Sequence, residues 1–96
     1  LQKEIGCSSW FGFSLVLKEG SPISRKQLIA LFKEKNIECR PIVTGNFLKN
    51  TDVLEYFDYE VSGDLENAEY LDRNGLFVGN SHVDLSSEIK FLHSLF

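Results

Sequence analysis

Trp10-Phe11-Gly12-Phe13-Ser14-Leu15-Val16-Leu17, followed after Gly20-Ser21-Pro22 by Ile23-Ser24-Arg25-Lys26-Gln27-Leu28, is the stretch on which the fold turns. The first run is rich in aromatic and branched residues and shorter than most helices, so it reads as a strand. Gly20-Ser21-Pro22 breaks it. Ser24 is then a good N-cap, Gln27 completes a capping box three residues on, and Ile23 can staple against Leu28. The helix is expected to run to about Lys35, with Leu28, Ile29, Leu31 and Phe32 as its apolar stripe and Asn36 as a left-handed terminus.

Beyond it, Glu38 to Val43 reads as a second strand, in which Pro41 removes a ladder donor and points to an edge position or the strand's end. Thr44-Gly45-Asn46 is a turn signal, and Phe47 to Tyr59 reads as a long loop with a short helix near Val53 to Phe57. Asp64 can cap a helix carrying Ala68, Tyr70 and Leu71, which Gly75 terminates. Leu76-Phe77-Val78 is a short buried-strand candidate, with Gly79-Asn80-Ser81-His82 as the polar loop at its end. A last helix begins near Asp84 to Ser86, and its spacing places Ile89, Leu92, Leu95 and Phe96 on one face. Strands and helices thus alternate. The expected fold is α+β, a small, mostly antiparallel sheet of three or four strands flanked by helices.

At 96 residues and 43% hydrophobic composition, residues 1–96 are expected to form a single domain. The sequence starts at Leu1 and contains no methionine, which is expected of an internal piece of a longer chain. Ten basic and fourteen acidic residues give a net charge of −4, and they are scattered rather than clustered, which argues against a nucleic-acid partner. No apolar run approaches the roughly 20 residues that cross a bilayer, and Leu1-Gln2-Lys3-Glu4-Ile5 is not built like a signal peptide, so a cytoplasmic protein with no membrane partner is expected. Cys7 and Cys39 lack metal-ligand spacing, and two reduced thiols or one disulfide both fit them.

Ser9-Trp10-Phe11-Gly12-Phe13, Arg40-Pro41-Ile42-Val43-Thr44-Gly45-Asn46-Phe47 and Phe77-Val78-Gly79-Asn80-Ser81-His82 occur in this order, each at the start or end of a predicted strand. Together they resemble the carboxy-terminal small domain of the DegT/DnrJ/StrS sugar aminotransferases, and within that family the branch of nucleotide-linked 4-keto-6-deoxyhexose 3-dehydratases. The resemblance runs from about Ser9 to Phe96. It implies a homodimeric enzyme of surface-polysaccharide (lipopolysaccharide, O-antigen) biosynthesis. It also implies that pyridoxal phosphate or pyridoxamine phosphate is held by a large amino-terminal domain, through a lysine or, in the dehydratases, a histidine in its place. Its partners would be a nucleotide-linked sugar, an amino donor such as glutamate, and its own large domain; the reaction would be C-3 dehydration or amino transfer. The chain alone is then expected to hold no cofactor and no catalytic residue. Two cysteines cannot supply four ligands, so nothing points to the related iron-sulfur type. A non-catalytic ligand- or protein-binding α+β domain is the alternative, since the chain carries no complete catalytic constellation of its own.

The resemblance makes Arg40, Pro41, Gly45, Asn46, Gly79, Asn80, His82 and Trp10 candidates for substrate binding. Arg40, beside the stiff Pro41, offers a planar fork of donors to a phosphate or carboxylate, and a surface ion pair explains it equally. Gly45-Asn46 and Gly79-Asn80 are matching dipeptides that suit either a ligand's close approach or a plain turn. His82 can donate to sugar hydroxyls or carry a proton, or be a plain polar loop residue; His93 reads as structural. Trp10 can stack on a ring, whereas Phe11 and Phe13 are expected in the core. Asp52, Glu55, Asp58 and Glu60 read as a solvated surface, and no metal site is expected.

Overall fold

The computed structural model describes residues 3–42 and 44–96. Val43, the expected end of the second strand, lies outside the described residues. The order of elements is β1 (Gly12–Val16), α1 (Arg25–Glu34), β2 (Cys39–Pro41), a 3-10 turn (Phe47–Lys49), α2 (Thr51–Leu54), α3 (Glu66–Asn74), β3 (Gly75–Gly79) and α4 (Ser86–His93). The three strands form one antiparallel sheet in the order β1-β3-β2. Its α+β character is as the sequence predicts. The strand read last thus becomes the centre, and Pro41 sits on an edge strand where a missing N–H costs no ladder bond.

Helix α1 begins and ends as its sequence dictates. The Ser24 side chain accepts from the Gln27 amide while the Gln27 side chain accepts from the Ser24 amide, the reciprocal arrangement of a capping box. At the other end Asn36 takes φ 56°, so that the amides of Ile37 and Asn36 reach back to the carbonyls of Phe32 and Lys33. That pair of bonds is a Schellman terminus. Two weaker sequence signals shift, and Gly75 holds its expected place at the end of α3. The short helix forms at Thr51–Leu54, ahead of the Val53 to Phe57 window. Asp64 does accept from the Glu66 amide at 3.3 Å, but Leu65 holds the N-cap position of α3. Gly75 ends α3 in extended backbone, φ −93°, and opens β3 directly.

Period-two alternation gives the sheet two faces. Leu15, Leu76, Val78 and Cys39 face α1 and α4 and pack with Leu28, Phe32, Leu92 and Leu95. The opposite face carries Ser14 and Val16 of β1, Phe77 of β3 and Arg40 of β2. Phe11 and Phe13 depart from the expected core placement. Phe11 is 84% exposed and lies with its ring 5.8 Å from that of Phe77, on the sheet face away from α1. The absence of a side chain at Gly12 allows this, because a Cβ there would stand 2.8 Å from the Phe77 ring. Phe13 is on the helix side but on an edge strand, and stays 44% exposed.

The chain exposes 8121 Å² of surface at 10.9 kDa, where a self-contained monomer of that mass exposes about 5,600 Å². Its radius of gyration is 15.8 Å, against about 12.5 Å for a compact domain of this length. Only Leu28, Phe32, Leu54, Leu76 and Val78 are buried hydrophobics among the described residues. No helix among the described residues is long and apolar enough to cross a membrane.

Candidate functional site

The antiparallel register decides where the candidate residues go. β3 runs from Gly75 to Gly79, and Gly12 of β1 pairs with Gly79 while Cys39 of β2 pairs with Val78. Trp10, which enters β1, and Gly79-Asn80, which leaves β3, therefore meet at one end of the sheet. β2 runs the other way, with Pro41 opposite Leu76, so the chain after it reaches Gly45-Asn46 at the Gly75 end. Four residue steps of strand, roughly 13 Å, separate the two ends. The two Gly-Asn dipeptides thus do not line one small pocket within this chain.

At the Gly75 end the dipeptide is built into the structure. Asn46 is 5% exposed, and its side chain is fully engaged: Nδ2 donates to Glu69 Oε1 at 2.7 Å and Oδ1 accepts from the Leu48 amide at 3.1 Å, capping the 3-10 turn. Gly45 has φ +27°, and a Cβ on it would lie 2.7 Å from Asp72 Cα. Lys49 Nζ closes the cluster, 3.0 Å from Glu69 Oε2 and 2.6 Å from Asp72 Oδ2. The Lys49 ammonium holds the Asp72 carboxyl below the usual carboxylate range, and Lys49 and Asn46 together do the same for Glu69. Hydrogen bonds to the two carboxylates raise Lys49 in turn. Arg25 of α1 donates to the backbone carbonyls of Asp72 and Gly75, which ties this end to the core. Sequence reading missed Lys49, Glu69 and Asp72. The usable signal was the three-residue spacing of Glu69 and Asp72, which puts both carboxylates on one side of α3.

At the Gly79 end the arrangement is open. Asn80 Nδ2 donates to the Trp10 carbonyl at 2.9 Å and fastens the entry of β1 to the exit of β3. Trp10, Gly79 and Asn80 border an apolar cavity of about 320 Å³ whose other walls are Phe13, Val78, Leu85, Ile89 and Leu92. His82 is exposed in the loop beyond, before α4.

Arg40 belongs to neither end. It is in mid-strand on the face away from α1, cross-strand from Phe77, with a side chain 66% exposed and a still more exposed partner, Glu38, at 3.0 Å. Pro41, next to it, is exposed. The ion pair anticipated for Arg40 is present, yet such a surface pair contributes at most about 1 kcal/mol and leaves most of the fork's donors free. Cys7 and Cys39 are free thiols, and burial, with the nearby Glu38 charge, pushes the Cys39 thiol up, so it stays protonated at neutral pH.

No phosphate cradle forms among the described residues. The first turn of α1 is closed by its own capping box, and those of α3 and α4 carry Glu66, Glu69 and Glu88, with Asp64 and Asp84 already on their amides. Negative side chains at a helix N-terminus repel a second anion. The described residues likewise hold no group of three or more metal-ligating side chains.

No protein-family model matches the chain. It is 58% identical over 95 residues to GDP-4-keto-6-deoxy-D-mannose 3-dehydratase of Yersinia pseudotuberculosis and 59% identical to the protein of that name from Escherichia coli O55:H7; each match takes in 99% of this chain and 24% of the relative. The lipopolysaccharide biosynthesis protein RfbH of Salmonella typhimurium is 32% identical over 74 residues, 74% of this chain and 16% of that one. Among solved structures, an E. coli GDP-4-keto-6-deoxy-D-mannose 3-dehydratase with bound hydrated pyridoxal phosphate superposes with a TM-score of 0.92 at 60% identity, over 97% of this chain and 24% of that one. A second structure of the dehydratase, with bound GDP-perosamine, gives the same TM-score and coverage. The chain therefore spans about a quarter of the length of the dehydratase relatives, in their carboxy-terminal part.

Proposed function

We propose that this chain, a homologue of the carboxy-terminal part of the GDP-4-keto-6-deoxymannose 3-dehydratases, forms the small domain of a longer pyridoxal-phosphate-dependent dehydratase acting on a GDP-linked keto-deoxysugar. The observation that carries the reading is the near-complete coverage of this chain at 58–60% identity together with a TM-score of 0.92. The excess surface supports it, since a chain with this much uncovered area has the character of one part of a larger body. Amino transfer is the alternative reaction; membership of the wider DegT/DnrJ/StrS family, a homodimer and a glutamate donor rest on the motif resemblance, and a cytoplasmic location rests on the lack of an apolar run long enough to cross a bilayer.

The cofactor does not fit these residues, so it belongs to the remainder of the longer protein, and no step of its chemistry is assigned to this chain. What this chain offers is orientation and exclusion of water. Arg40 presents an unsaturated donor fork on the sheet face away from α1, suited to a diphosphate. Pro41 stiffens the backbone that carries it. His82 is free to donate to a sugar hydroxyl. Asn80 acts by holding Trp10, and Gly45-Asn46 by shaping the loop that follows β2.

The test is Arg40→Ala in the longer protein. We expect the KM for the GDP-linked substrate to rise at least about tenfold, as loss of one charge-assisted contact does, while thermal stability stays within about 1 kcal/mol of the parent. An unchanged KM with a lowered melting temperature would assign Arg40 to structure and remove it from the site.

A further inference from the structure

We propose that the apolar cavity between β1, β3 and α4 is a socket for an apolar side chain carried by the part of the longer protein that lies outside this chain. The inference rests on the reading that such a part exists, and it deepens that reading by naming a docking point. Ile89 lies on the same helical stripe as Leu85 and Leu92 but is 61% exposed, and Phe13, on the opposite wall, is also exposed. Two apolar walls left uncovered around about 320 Å³ of space lose dispersion contacts and keep hydrocarbon in water, a state that a fitting side chain relieves.

The chemistry of the walls selects the occupant. No lining residue is charged, and the one side-chain amide at the rim, Asn80, gives one of its two N–H donors to the Trp10 carbonyl. A small polar ligand needs several convergent polar groups to orient it, and a nucleotide sugar needs cations; the cavity provides neither. A hydrocarbon or single-ring side chain needs neither. The area also agrees. The surface in excess of a self-contained monomer is about 2,500 Å², the size of an obligate interface, and three quarters of each dehydratase relative lies outside the matched segment to supply the other side.

Ile89→Cys in the longer protein, with cofactor bound, tests this by maleimide labelling mapped by peptide mass spectrometry, which separates position 89 from Cys7 and Cys39. Because Ile89 is so exposed in this chain, the substitution leaves the core intact; Leu85→Cys on the same wall serves as the second variant. Labelling at 89 slowed at least about tenfold relative to the same protein in denaturant, at every protein concentration, is the expected result. Smaller protection overturns the proposal. Protection lost on dilution overturns it too, because the occupant is then a second copy. Turnover of GDP-4-keto-6-deoxymannose by the same preparation separates the two readings: protection without turnover keeps the socket and removes the function, and turnover with an open cysteine does the reverse.

Discussion

Gly45-Asn46 and Gly79-Asn80 are the same two letters, and the fold uses them in opposite ways. At the first, the asparagine is buried, caps a 3-10 turn and joins an ion network on α3. At the second, both residues are exposed, and the amide does one thing: it holds the carbonyl of Trp10 beside an apolar cavity. The difference comes from what stands opposite. β2 delivers its dipeptide against the polar side of α3, and β3 delivers its own into the gap between β1 and α4.

The sharpest way to break this comparison is alanine at the two glycines. Gly45→Ala places a Cβ against the Asp72 backbone in left-handed conformation, and should cost about 3 kcal/mol or more in chemical denaturation. Gly79→Ala meets nothing within 4 Å and should cost under about 1 kcal/mol. Equal losses would mean that the two ends are not different in kind.

The asparagines give a smaller contrast. Asn46→Ala removes a buried cap and leaves Glu69 without that donor, for an expected loss of about 1–3 kcal/mol. Asn80→Ala breaks one exposed bond and should cost about 1 kcal/mol or less, yet it should shift the emission of Trp10, the single tryptophan of the sequence, to longer wavelength. Asn46→Ala should leave that emission where it is.

Acid is the mildest probe. Glu69 and Asp72 have lowered pKa values, so their contribution is fully present above the ordinary carboxylate range, about 4, and is lost as pH falls through the lowered values. Lys49 is raised, so its share is present below about 10.4 and lost only above. Amide exchange in the loop around Asn46 should accordingly show no loss of network protection between about pH 5 and pH 10, after the intrinsic rate is removed, and lose protection below about pH 4. The Asn80 to Trp10 bond contains no titrating group and should show no acid limb. Loss of both together would point to global unfolding instead of opening of the network.

Much of this chain was legible from short-range chemistry. The capping box at Ser24 and Gln27, the left-handed Asn36 and the strand character of β1 and β3 depend on residues close together in the chain, and the sequence alone names them. The placement of Pro41 on an edge strand was readable for the same reason, because a missing N–H is a property of one residue. What the tertiary structure decided is which neighbour each surface meets. Phe11 left the core because Gly12 let the Phe77 ring lie over the strand, and the two Gly-Asn signals parted because antiparallel pairing sends β2 and β3 to opposite ends of the sheet. Contacts such as Asn80 with Trp10 or Arg25 with the Gly75 carbonyl span tens of residues of chain and exist only once the sheet order is fixed, so local pattern has no means of encoding them.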